Sequence, residues 1–223
     1  MNAETWDFQV TNIGSHPIVA LKGTLVCPQD ENHPRTNEEF GFDSLVYGAH
    51  GLADQPILAG QTRSFPMPKR TAECSGGVDA VVYPDGRTEG SQPAAEAIYK
   101  RRRAAYEGLM YAKRQLDSVI SSNEDLSSVA SRLIKRAQDI SQDSGLTDTE
   151  KSTENAVLVG IAHDLNGQNE LNVPAIYLKQ RREEVETIMK HDHVPEQKAL
   201  AILLVQNLME SIRNLEGHTT PPP

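Results

Sequence analysis

The chain has 223 residues, 38% of them apolar and only 5% aromatic, with a formal net charge of −9. That length suits one large or two small domains, and no run approaches the roughly 18 apolar residues of a membrane span. An acidic balance argues against nucleic acid or an anionic membrane as the main partner, because phosphate binding needs a positive footprint.

Composition changes at Pro93. Residues 1–93 hold all four Phe, the single Trp, both Cys, ten of the fifteen Gly and eight of the thirteen Pro. Beyond Pro93 apolar residues recur every three or four positions. These patterns predict α and β structure in separate parts: an antiparallel β-sandwich over 1–92, an all-α bundle of about five helices over 93–216, and a disordered tail over 217–223. Charge is uneven too. Residues 1–93 carry 6 basic and 12 acidic side chains, a net −6, and residues 94–223 carry 16 and 19, a net −3.

Glu4 to Thr11 alternates, with Trp6, Phe8 and Val10 on one side, as in a half-buried strand. Trp6 is read as core rather than as a sugar-stacking side chain. A turn over 12–17 leads to a strand from Ile18 to Val26, either a hairpin partner of the first strand or its neighbour across two sheets. Pro28 to Glu39 is polar and reads as loop. Ser44 to Tyr47 is a short strand candidate. Leu58 to Thr62 reads as a turn into a strand over Arg63 to Met67, which Pro66 and Pro68 confine to a sheet edge. Val78 to Tyr83, the tight turn Pro84-Asp85-Gly86 and Arg87 to Gly90 form a hairpin.

Cys27 closes one strand and Cys74 precedes another. A bridge between them would close a loop of about 48 residues, for which loop entropy gives about 4 kcal/mol. Two unpaired, partly buried thiols are the alternative.

In order, Phe8, Val10, Asn12, Ile18, Ala20, Leu21, Leu58, Gly60, Thr62, Val78, Ala80 to Tyr83, Asp85, Gly86 and Gly90 form a pattern. It resembles immunoglobulin-like or fibronectin-III-like sandwiches of uncharacterised bacterial exported proteins. The resemblance covers residues 5–92, implies fold and export, and assigns no active site. The Cys–Trp–Cys spacing of antibody-type domains is missing, since Trp6 precedes both cysteines. No signal peptide precedes Trp6, so two locations fit. One is the mature part of a periplasmic or secreted protein, favoured by a strand starting near residue 5; the other is the cytoplasm.

Breakers divide the remainder into about five helices. The first runs to about Ser121 with Ile98, Ala105, Leu109, Ala112, Leu116, Val119 and Ile120 as its apolar stripe. The second spans about Glu124 to Gln142, uses Leu126, Val129, Leu133, Ala137 and Ile140, and takes Asn123 as N-cap. Thr147 with Glu150 forms a capping box for the third, which buries Val157, Leu158, Ile161 and Leu165. The fourth starts around Pro174 with Ile176, Val185, Ile188 and Met189. The fifth follows Val194-Pro195 and buries Leu200, Leu203, Leu204, Leu208 and Ile212.

Candidates for chemistry are sparse. Lys100, Arg101, Arg102 and Arg103 wrap one helical turn, as a patch for an anionic partner or as a solvated collar. His163, Asp164, His191 and His193 are of suitable type for a metal, although His at i and i+2 point to different sides of a helix. Helix-end imidazoles also complement the macrodipole. Cys74-Ser75-Gly76-Gly77 reads as a reactive thiol or a turn. Glu183, Glu184 and Glu186 with Arg181 and Arg182 read as a salt-bridged face. No cofactor-binding or nucleophile motif occurs. The expected function is a non-enzymatic, exported module that contacts another protein, with homo-oligomerisation through the helical part as a further expectation. The alternative is a metal-dependent hydrolase using the four His and Asp residues.

Overall fold

The computed structural model describes residues 5–29, 34–47, 55–68, 74–122, 124–166 and 175–222. In chain order the elements are β1 (Thr5–Thr11), β2 (Ala20–Cys27), β3 (Thr36–Asp43), α1 (Ser44–Tyr47), β4 (Thr62–Pro68), β5 (Ser75–Val82), β6 (Thr88–Gly90), α2 (Gln92–Ser121), α3 (Leu126–Ser141), α4 (Asp148–Leu165), α5 (Ala175–Asp192) and α6 (Glu196–Leu215). They form two compact units, Met1–Lys100 with Thr220–Pro223, and Arg101–Thr219.

The first unit has two antiparallel sheets, one ordered β1-β4 and one ordered β3-β2-β5-β6. Period-two alternation assigns the faces. Leu21, Leu25 and Cys27 of β2 join Phe40 and Phe42 of β3 and Phe65 and Met67 of β4 in one buried cluster with Ile18 and Ile57. Phe40 fills the space above Gly23, where a Cβ would stand 2.2 Å from its ring. Phe8 and Val10 of β1 and Val81 of β5, with Tyr83 just beyond it, reach the same cluster and stay only partly buried.

The opposite face of the larger sheet is covered by the start of α2. Val19, Ala20 and Val82 pack with Ile98 and Tyr99, and Ala80 with Ala94 and Ala95. Alanines on both sides let the helix approach closely. A bulge between Lys22 and Gly23 shifts the partner from Ala80 to Val78. The skipped Asp79 accepts a 2.6 Å hydrogen bond from the Thr24 hydroxyl. Gly86 takes φ 83° in the β5–β6 turn, and its carbonyl accepts from Tyr99 Oη at 2.7 Å.

The strand with Pro66 and Pro68 has one neighbour, as those prolines require, and the final hairpin forms as read. β1 and β2 are not a hairpin: they lie in different sheets. Two expectations are corrected. Ser44 to Tyr47 is a helical turn rather than a strand, because buried Asp43 accepts from Leu45 N–H at 3.0 Å and Ser44 N–H donates to Val19 O at 2.9 Å. Residues 36–39, read as loop, open β3. Asn37, Glu38 and Glu39 are weak strand formers, yet their backbone pairs with Val26, Leu25 and Thr24, and Glu39 meets Lys22 at 2.7 Å.

In the second unit α3 begins at Asp125, whose carboxylate accepts from Ser127 N–H at 3.1 Å. The cap expected at Asn123 lies outside the described residues. The Thr147–Glu150 capping box is present in both directions. Leu109, Leu116, Val129, Leu133, Ile140, Leu158, Leu204 and Leu208 are among the buried stripe residues, whereas Leu165 and Leu200 are half-buried. Asn155 of α4 donates to Ala137 O at 3.3 Å and Ser141 Oγ at 3.1 Å on α3. None of residues 180–192 of α5 is buried, and Val185, Ile188 and Met189 are half-covered; the side chain of Ile176 lies outside the described set.

The division falls after Lys100 rather than at Pro93, because the first turns of α2 belong to the sheet's own core. Near the C-terminus His218 N–H donates to Leu215 O at 2.9 Å, and Pro222 Cδ lies 3.4 Å from where a Cβ on Gly86 would stand.

Candidate functional site

Cys27 and Cys74 stand at disulfide distance, with Sγ–Sγ 2.07 Å and Cα–Cα 4.2 Å. They extend the β2–β5 register one step beyond Val26–Ser75, so the pair ties neighbouring strands of one sheet rather than two facing sheets. Of the two options left open by the sequence, this geometry fits the bridge, and neither cysteine is free.

The cationic run is not one patch. Lys100 and Arg103 are exposed and Arg101 is half-buried, but Arg102 is fully buried. The metal candidates do not assemble either. Among the described residues no three His, Cys, Asp or Glu side chains stand where one ion could join them. Asp164 faces Arg181 of α5 at 3.9 Å. His191 Nδ1 lies 2.6 Å from Asp192 Oδ1 at the exposed end of α5, and His193 follows with a left-handed φ of 52°. These are helix-end side chains, as the sequence allowed. The side chain of Trp6 lies outside the described ones.

The acidic residues of α5 border an open groove of about 480 Å³ shared with α6. Ile188 and Leu203 form its apolar part, and Gln180, Glu183, Glu184 and Gln206 are polar neighbours.

Two polar clusters were not foreseen. Arg132 of α3 grips the Glu124 carboxylate with two guanidinium nitrogens, one of them at 3.1 Å, while its Nε donates to Gln115 Oε1 at 2.6 Å. Ser118 Oγ donates to the same carboxylate at 2.9 Å. Arg132 first, then Ser118, holds the Glu124 carboxyl below the ordinary glutamate range. The second cluster is Glu154, only 4% exposed, with Arg136 Nη2 at 3.2 Å. Arg136 and Arg114 both lie over the Tyr111 ring, at 5.7 and 5.9 Å. Burial pushes the Glu154 carboxyl up, and Arg136 opposes that rise. No sequence signal points to either cluster, because each joins residues from different elements. In both, carboxylate faces guanidinium, an arrangement that fastens neighbouring elements together.

Compared with protein-family models, curated proteins and solved structures, this chain matches none of them.

Proposed function

We propose that the chain is a non-enzymatic interaction module of an oxidising, extracytoplasmic compartment, built from an immunoglobulin-like or fibronectin-III-like sandwich and a helical bundle. The observation that carries this reading is the Cys27–Cys74 pair at disulfide distance, since disulfides persist mainly where the compartment oxidises thiols. Two antiparallel sheets sharing one apolar core support the sandwich. The residues singled out for chemistry are taken up in a Cys pair, ion pairs and helix ends, which favours binding over catalysis. The partner implied is another protein.

Intact mass after alkylation, with and without prior reduction, tests the compartment on thiol-trapped protein from the native host. Both cysteines are expected to resist alkylation until reduced; free labelling without reductant would remove the argument for export. In-cell photo-crosslinking of the full chain tests the interaction. Covalent adducts with envelope proteins are expected, and their absence would refute the module's role.

A further inference from the structure

Among the described residues the two sheets of the first unit end in four edge strands, and exposed edges invite pairing with another chain unless they are guarded. Three are guarded. β4 carries Pro66 and Pro68, β6 has three residues, and β3 carries Glu38 and Glu39. β1 is the least guarded: of its seven residues, TWDFQVT, one is charged, Asp7, and none is Pro or basic.

Register fixes which groups β1 offers. Asp7 faces Pro66 and Thr5 faces Pro68. Proline has no N–H, so these are the non-hydrogen-bonded pairs of the ladder. Phe8 and Val10 therefore bond to β4, a parity that Asn12 continues by donating to Gln61 O at 2.9 Å. It follows that Asp7, Gln9 and Thr11 aim their N–H and C=O groups at the open edge.

Burial is uneven across the same core. The core side chains of β2, β3 and β4 are buried, whereas Phe8, Val10, Val81 and Tyr83 are partly covered. Val78, paired with Gly23 and so on the core face, is 40% exposed. Arg63 and Phe65 of β4 stack on Phe42 and Phe40 of β3, at 4.2 and 5.2 Å. Phe8 of β1 lies against Phe40 as well, at 4.7 Å, so both strands of the small sheet face β3.

We propose that the open edge of β1 is a strand-addition site for an extended segment of a partner protein. The segment pairs with Asp7, Gln9 and Thr11 through its backbone and continues the half-buried row of Phe8 and Val10 with alternate apolar side chains. Charge selects the rest of it. Exposed Asp7 points away from the core, and residues 1–93 carry a net −6, so Lys or Arg fits its outward positions. This inference rests on the interaction reading above and locates it.

The probe is a fluorescein-labelled nine-residue peptide with Val at alternate positions and Lys or Thr between them. A control has the same composition with the valines clustered. Binding to the full oxidised chain is read by anisotropy. The alternating peptide is expected to bind at least tenfold more tightly than the control and to slow hydrogen exchange at the Gln9 and Thr11 amides. Gln9→Pro removes an edge donor without touching the β4 ladder and is expected to weaken binding at least tenfold. Equal binding of the two peptides, or unchanged affinity in Gln9→Pro, would overturn the proposal. So would a concentration-dependent dimer that Gln9→Pro dissolves, since the occupant would then be a second copy. Envelope-protein adducts that survive Gln9→Pro would overturn the edge site alone and leave the interaction reading standing, whereas free thiols in the host would count against the compartment alone.

Discussion

Glu154 and Glu124 are both paired with arginine, yet their surroundings move them in opposite directions. Burial raises Glu154, so the folded state holds its proton more tightly than the unfolded chain. Stability from this group is then greatest below the ordinary value of 4.5 and is lost as pH rises toward the raised folded value. Arg136 limits that loss. Arg136→Met leaves a buried carboxylate without its partner, which typically costs about 3–5 kcal/mol for a fully buried pair. Because Arg136 is 42% exposed, a smaller loss of about 2 kcal/mol is expected at pH 7, shrinking as pH falls toward the ordinary value of 4.5. Urea unfolding at the two pH values checks this, and an equal loss at both would contradict it. Glu124 behaves conversely: Arg132 depresses its titration, so its contribution is present above 4.5 and lost as pH falls through the lower folded value. In Arg132→Gln the Glu124 carboxyl is expected to titrate upward toward the ordinary value, as carbon-detected NMR would show. Neither pair was legible in the sequence, because Arg136 and Glu154 lie 18 positions apart on helices whose facing is set by packing.

Among elements, the strands show where sequence patterns suffice. β1 alternates cleanly, and the Pro84-Asp85-Gly86 turn prescribes its hairpin, so both were readable. β3 was only half readable: Phe40 and Phe42 alternate, but Glu38 and Glu39 conceal the strand until β2 pairs with it. Ser44 to Tyr47 misled in the other direction, since a β-rich tetrapeptide becomes helical once Asp43 caps it. The Phe40–Gly23 contact links these cases, because the hidden strand needs a neighbour without a Cβ. Gly23→Ala would place a methyl 2.2 Å from Phe40 Cζ and 2.7 Å from the Gly77 carbonyl oxygen. Overpacking against backbone resists relaxation, so a loss of about 2 kcal/mol or more is expected in chemical denaturation. Wild-type stability in that variant would show that the ring can swing aside.

On the scale of the molecule, the composition break at Pro93 announced two kinds of structure. It could not show that α2 serves both units, because a helix stripe does not say which partner each turn meets. Nor could composition place Thr220–Pro223 with the first unit. The cysteine pair is the molecule's longest-range covalent constraint, with 47 positions between its partners in numbering. A double Cys27→Ser, Cys74→Ser variant is expected to lose about 4 kcal/mol by the loop-entropy relation. Calorimetry should confine that loss to the transition of the first unit, and a uniform shift of every transition would show that the units unfold together.

That constraint also changes what a cut backbone means. Hydrolysis of any peptide bond between residues 28 and 73 divides the chain without separating it, because the fragments remain joined through Cys27 and Cys74. A limited digest cut there is expected to run as one species on a non-reducing gel and as two after reduction, so a protease that nicks this segment releases nothing until a reductant arrives.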